Sequence, residues 1–195
     1  MSTGALITRV KRDWRRILRR LVRGRQEPPS VLLVPVPSAE GVIAEWRTRH
    51  DPTAAHGMPA HVTVLYPFLS LGRIDGSTDD ALKSLFAGFS PFEFSLTDVD
   101  RFPGVLYLVP EPATPFVELT KAIAARWPDH QPYRGEFDSV VPHVTVVNGS
   151  TEPPDLEGNL RKALPIEAKA SEVWLMAQDD TGRWMQQGSY QLGTQ

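Results

Sequence analysis

His61-Val62-Thr63-Val64 and His143-Val144-Thr145-Val146 are one tetrapeptide written twice, and they decide how the rest of the chain is read. With 5 His and 13 Thr in 195 residues, roughly 0.3 His-x-Thr triplets are expected by chance. Each copy is short, apolar and β-branched, which reads as a strand. Side chains alternate along a strand, so residues two apart share a face, their Cα atoms about 6.6 Å apart. One face therefore presents an imidazole and a hydroxyl. The other presents two valines to a core.

Outward from these strands the pattern repeats. Val31–Pro37 reads as a strand, and Ser38 caps a helix running to about His50 with Val42, Ile43 and Trp46 inward. Residues 51–59 read as a loop, His61–Tyr66 as a strand, and Ser77 or Thr78 as the cap of a helix to about Phe89. A strand over Phe92–Phe102 completes the first half. The second half follows the same order: strand Gly104–Val109, helix Thr114–Trp127, polar loop 128–139, strand Val140–Val147, helix Asp155–Leu164 and strand Ile166–Gln178. A turn at Asp179-Asp180-Thr181-Gly182 leads to a last strand, Arg183–Leu192. The expected fold is α+β: two pseudo-symmetric β-α-β-α-β lobes with antiparallel sheets facing a central groove, preceded by a basic N-terminal helix. Residues 1–29 read as a basic amphipathic extension and linker. Residues 30–195 read as one bilobal domain, with lobes over 31–102 and 104–192.

Composition sets the outer bounds. The chain is 41% apolar and 23% charged, as in ordinary globular proteins. It contains no cysteine, which excludes a disulfide scaffold, a thiol nucleophile and a cysteine metal site. No apolar run approaches the roughly 18 residues that span a membrane. The net charge of −2 conceals an asymmetry: residues 1–25 carry nine Lys or Arg against one acid, Asp13, and the remainder is at −10. An acidic body does not suit general duplex binding, but it suits a small phosphate ester or one end of an RNA. In the basic segment Val10, Trp14, Ile17, Leu18 and Leu21 fall at helical spacing. Such a helix packs on its own domain, lies on an anionic membrane, or meets nucleic acid or an acidic partner through residues 9–25. The expected location is cytoplasmic, with membrane association through that helix as the alternative.

The repeated motif has a chemical logic. Opening a phosphodiester needs a base for the attacking oxygen and an acid for the departing one. Two histidines with ordinary pKa values near 6.5 divide those roles, one neutral and one protonated. Threonine hydroxyls donate to the non-bridging phosphate oxygens, where charge accumulates. The scheme demands neither metal nor cofactor.

On these paired motifs and the duplicated α+β order, residues 30–192 resemble the 2H phosphoesterase superfamily, which includes 2′–5′ RNA ligase-like proteins and RNA 2′,3′-cyclic phosphodiesterases. The resemblance implies catalytic roles for His61, Thr63, His143 and Thr145, and metal-independent opening of 2′,3′-cyclic phosphates of RNA ends or small cyclic nucleotides. The alternatives are a hydrolase of cyclic-oligonucleotide signals and a non-catalytic nucleotide- or RNA-binding module anchored by the basic helix. Tyr66 and Phe68 after the first motif, and Tyr133 and Arg134 before the second, are candidate substrate-binding residues: aromatics stack on bases and arginine holds phosphate. Arg73 and Arg101 are weaker candidates. His56 near Asp51 and His61 matches no standard zinc spacing. His50 and His130 read as surface residues, and Asn148-Gly149-Ser150 as a turn.

Overall fold

Strand β1, Val31–Pro35, is apolar on both faces because it is an inner strand. Leu32 and Val34 enter the main core, and Val31 and Leu33 enter a second cluster with Met58 and Met176 on the opposite face. A computed structural model describes residues 30–135, 140–149 and 154–193. The basic segment, including residues 9–25, lies outside the described residues.

Chain order is β1, α1 (Pro37–His50), α2 (Pro52–Ala55), β2 (His61–Leu65), α3 (Gly76–Ala87), β3 (Phe92–Phe102), β4 (Val105–Glu111), α4 (Thr114–Arg126), β5 (Val144–Asn148), α5 (Leu156–Ala163), β6 (Ile166–Ala170), β7 (Glu172–Gln178) and β8 (Trp184–Gln191). Short 3-10 turns occupy Leu71–Arg73 and Pro132–Gly135. The strands form two four-stranded sheets, β2-β1-β7-β8 and β5-β4-β3-β6, with every pairing antiparallel. This is the expected α+β architecture with two facing antiparallel sheets.

The sheets are not, however, the two contiguous halves. β3 ends the first repeat yet pairs with β4 in the second sheet, through a tight turn in which Gly104 sits at φ 80. Ile166–Gln178 is two strands rather than one. The chain changes sheets at Ser171: β6 pairs with β3, while β7 pairs with β1 and β8. The helices are exchanged as well, with α1 against β5 and β6 and α4 against β2. One continuous core results, joining Val62 and Val64 to Val144 and Val146 through Ile43, Phe116, Leu119 and Ile123.

Local rules explain the shifted boundaries. Pro37 starts α1 one residue before Ser38, and Val36 caps it without a side-chain bond. Asp75, rather than Ser77 or Thr78, caps α3, accepting from the Thr78 amide at 2.8 Å. Within 51–59, Asp51 caps α2 and Pro52 opens it.

β2 is an outer strand, and α4 covers its open edge. The buried Thr120 hydroxyl lies 2.8 Å from the Val64 carbonyl and 3.0 Å from its own helix's Phe116 carbonyl. Replacing Thr120 by valine leaves the Val64 carbonyl buried without that donor, a loss of about 1–3 kcal/mol. The expected result is a lower urea midpoint at unchanged m-value.

Candidate active site

β2 and β5, the outer strands of the two sheets, lie beside each other. A groove of about 490 Å³ runs over them, and His61, Thr63, His143 and Thr145 all line it. The valines between them are buried in the core on the far side. His61 and Thr63 are on β2, as expected. Thr145 is on β5, and His143 immediately precedes that strand rather than lying within it.

The two imidazoles are held alike. His61 Nδ1 lies 2.8 Å from the Pro59 carbonyl, and His143 Nδ1 lies 2.7 Å from the Val141 carbonyl. Each carbonyl is two residues upstream, and it requires the proton on Nδ1. Nε2 is then the basic nitrogen of each neutral ring.

Their surroundings differ. His143 lies beside a stacked aromatic pair, with the Phe102 and Tyr107 centroids each 5.2 Å away and 4.4 Å from each other. Tyr107 is anchored by donating to Asp100 at 3.0 Å, and burial, then that carboxylate, push its phenol up. His61 lies in front of a buried cation. Arg47 occupies the third position of the α1 stripe Ala39, Ile43 and Arg47, and it pairs with Asp51 at 3.2 Å.

Burial pushes His61 down to about 4, assisted by the Arg47 charge and, to a smaller degree, by His143. Burial also lowers His143. The pairing expected from ordinary pKa values, one ring neutral and one protonated, is thus replaced by two neutral rings at pH 7. Desolvation of the charged form is the reason.

The other candidates separate. Tyr66 and Tyr133 line the groove. Tyr133 donates its backbone N–H to the Tyr66 carbonyl at 3.0 Å, which ties the 132–135 turn to the end of β2. Tyr133 and Arg134 both have left-handed φ, 50 and 58, unusual for non-glycine residues and a sign of a constrained turn. Arg134 is exposed and does not line the groove, but its charge acts on the Tyr66 phenol, which burial otherwise raises. Phe68 is a core residue at 2% exposure, edge-on to Trp127 and His130, so it does not reach the groove. Arg101 pairs with Glu157 on the outer surface. His50 stacks on Trp46, and His130 is half-buried.

Sequence reasoning did not assign Met58, Asn148, Asp51, Gln178 and Trp184 to the groove, and of these Gln178 and Trp184 come from distant segments. Asn148 ends β5 and is not a free turn. Only Asp51 carries a local signal, an Asp-Pro-Thr helix start. His56 also lines the groove, with Nδ1 2.7 Å from the Pro52 carbonyl, while Asp51 is engaged by Arg47 and Thr53.

Comparison with known proteins agrees with this architecture. The 2′-5′ RNA ligase superfamily model matches residues 34–182, and the chain belongs to that family of 2H phosphoesterases. E. coli LigT bound to 3′-AMP is 17% identical with a TM-score of 0.54, over 87% of this chain and 100% of that one. E. coli LigT bound to NADP+ is 20% identical with a TM-score of 0.51, over 85% and 98%. A Thermus thermophilus protein is 18% identical with a TM-score of 0.53, over 86% and 100%. These likenesses concern the fold; the family membership supports a phosphoesterase-type activity. No curated protein matches the chain significantly. Among the described residues no helix is long and apolar enough to cross a membrane.

The lowered histidines couple the site to stability. An unfolded histidine titrates near 6.5, whereas folded His61 titrates near 4. Between those values the unfolded chain binds more protons, so this contribution is complete above pH 6.5 and declines as pH falls toward 4. Urea midpoints are expected to drop across that window, and His61→Gln to flatten the drop.

Proposed function

We propose that the protein is a phosphodiesterase that opens 2′,3′-cyclic phosphates of RNA ends or small cyclic nucleotides. One observation carries the reading: two imidazoles line one groove, each with Nδ1 against the carbonyl two residues upstream, and each motif's threonine lines the same groove. One histidine takes the proton from water at Nε2 as it attacks phosphorus. The other delivers a proton from Nε2 to the departing ribose oxygen. Thr63 and Thr145 donate to the non-bridging oxygens, where negative charge grows.

The apolar surroundings add a condition. Two neutral rings, each with its proton on Nδ1, hold none at Nε2 to give. A phosphodiester anion between them favours the protonated form of its neighbour, so the acid is charged as substrate arrives. The scheme needs no metal, because the imidazoles handle both proton transfers.

Tyr66 and Tyr133 offer ring surface to a base, and Arg134 near the Tyr66 phenol offers charge to a further phosphate. The nucleotide complexes of LigT concern that protein, and they favour a small nucleotide ligand here. The alternative of a cyclic-oligonucleotide hydrolase uses the same groove and is separated by substrate profiling. Anchoring through residues 9–25 to an anionic surface or nucleic acid is a separate proposal, tested by vesicle and RNA retention with and without residues 1–27.

The deciding experiment is turnover of 2′,3′-cyclic nucleotides and of a short RNA ending in a cyclic phosphate, in EDTA. His61→Ala and His143→Ala are each expected to lose roughly two or more orders of magnitude in kcat. Thr63→Val and Thr145→Val are each expected to lose about 10²-fold. Absence of turnover by the folded wild type overturns the substrate class, and metal-dependent turnover overturns the two-histidine scheme.

A further inference from the structure

The segment leading into His61 is gripped from behind by charged side chains. Arg47, 2% exposed, donates from Nη2 to the Met58 carbonyl at 3.1 Å and to Asp51 Oδ2 at 3.2 Å. Its Nη1 lies 3.6 Å from Glu40 Oε1, and the same Glu40 oxygen accepts the Ala60 backbone N–H at 2.5 Å. Both residues lie on α1. Together they hold the carbonyl before Pro59 and the amide after it. The Ala60 N–H belongs to the same peptide group as the Pro59 carbonyl, which is the partner of His61 Nδ1.

A buried arginine is costly to desolvate, and the fold accepts it at a stripe position where an apolar side chain would pack without that cost. Its Nε has no hydrogen-bond partner among the described residues. Packing alone therefore does not account for the residue. Its bonds to the segment before His61 do.

We propose that Arg47 and Glu40 form a clamp on residues 58–60 that positions His61, which makes Arg47 a positioning residue for the reaction. The proposal rests on the two-histidine reading of the groove. The clamp fixes the carbonyl that sets the tautomer and aim of His61, and it places a positive charge behind the ring. Among the described residues the other charged or titratable groups around His61 are Asp51 and Glu40 behind it, and His143, His56, Tyr66 and Tyr133 along the groove. Arg47 opposes protonation of the ring and Asp51 favours it. His143 is held instead by the Val141 carbonyl and the Phe102 and Tyr107 rings, so a loss of the clamp is specific to His61.

The test uses the full chain with Arg47→Met, Arg47→Lys, Glu40→Ala and Glu40→Gln. NMR follows the ring titration and Nδ1–H exchange of both histidines, and kinetics with a 2′,3′-cyclic nucleotide gives kcat and KM against pH. In Arg47→Met the His61 titration is expected to move up and its Nδ1–H exchange to speed, with His143 unmoved. In the same variant kcat falls roughly tenfold or more at unchanged KM, with partial recovery in lysine. Glu40 is partly exposed, so Glu40→Ala keeps the test open if Arg47→Met fails to fold. It is expected to speed Nδ1–H exchange at His61 alone, and Glu40→Gln, which keeps the acceptor oxygen, restores it. Unaltered His61 behaviour in a folded variant overturns the clamp, as does an equal change at both histidines. The NMR readings need no substrate, so a wild type inactive on cyclic phosphates overturns the proposed reaction without deciding the clamp.

Discussion

The structure depends on the two-residue period of β2 and β5. β2, and the extended stretch from His143 into β5, must each give valines to one core and a histidine and threonine to one groove, and only extended backbone separates neighbours so completely. Slipping either strand by one residue would send Val62 or Val144 into the groove and an imidazole into the core. Register is therefore enforced by burial. Val62, Val64, Val144 and Val146 all lie in the main core, and a buried valine contributes about 1.5–3 kcal/mol. The chemistry-bearing side chains stay in place because their neighbours hold the strands.

Arg47 and Tyr107 show two ways of surrounding an imidazole. Behind His61 the fold buries a cation and neutralises it with Asp51. Beside His143 it sets aromatic rings, Phe102 edge-on and Tyr107 tilted. Both arrangements favour the uncharged ring, one by field and desolvation together and the other by desolvation. The groove is pseudo-symmetric in its motif and asymmetric in its support.

What could be read from residues alone was whatever is local. The paired HVTV strands, their facing and the α+β order follow from period and propensity. Pairing between strands is set by contacts far apart in the chain, which is why β3 and β7 fall in sheets that the repeat boundaries do not indicate. Ile166–Gln178 has no glycine or proline to mark the change of sheet at Ser171, so one long strand is the natural reading. Phe68 follows the motif closely in sequence, yet the chain turns away after Tyr66 and buries it against Trp127. Trp184 and Gln178 reach the groove only through tertiary folding, and nothing in their neighbourhoods announces it. Arg47 was hidden for the opposite reason: an arginine on a predicted helix reads as solvated surface, and here it lies in the helix's buried stripe.

The make-up of the first sheet has a consequence for how the molecule comes into being. β1 and β2 are among the earliest segments synthesised, but their partners β7 and β8 end near residue 191. A nascent chain that has released His61 and Thr63 from the ribosome still lacks the strand that pairs with β1's other edge. β3 through β6 are contiguous in order and complete their sheet earlier. Non-local strand pairing of this kind slows folding and leaves edges exposed while it waits. The groove is thus among the last parts to form, and a chain stopped before β7 carries both motifs without a finished wall between which to hold them.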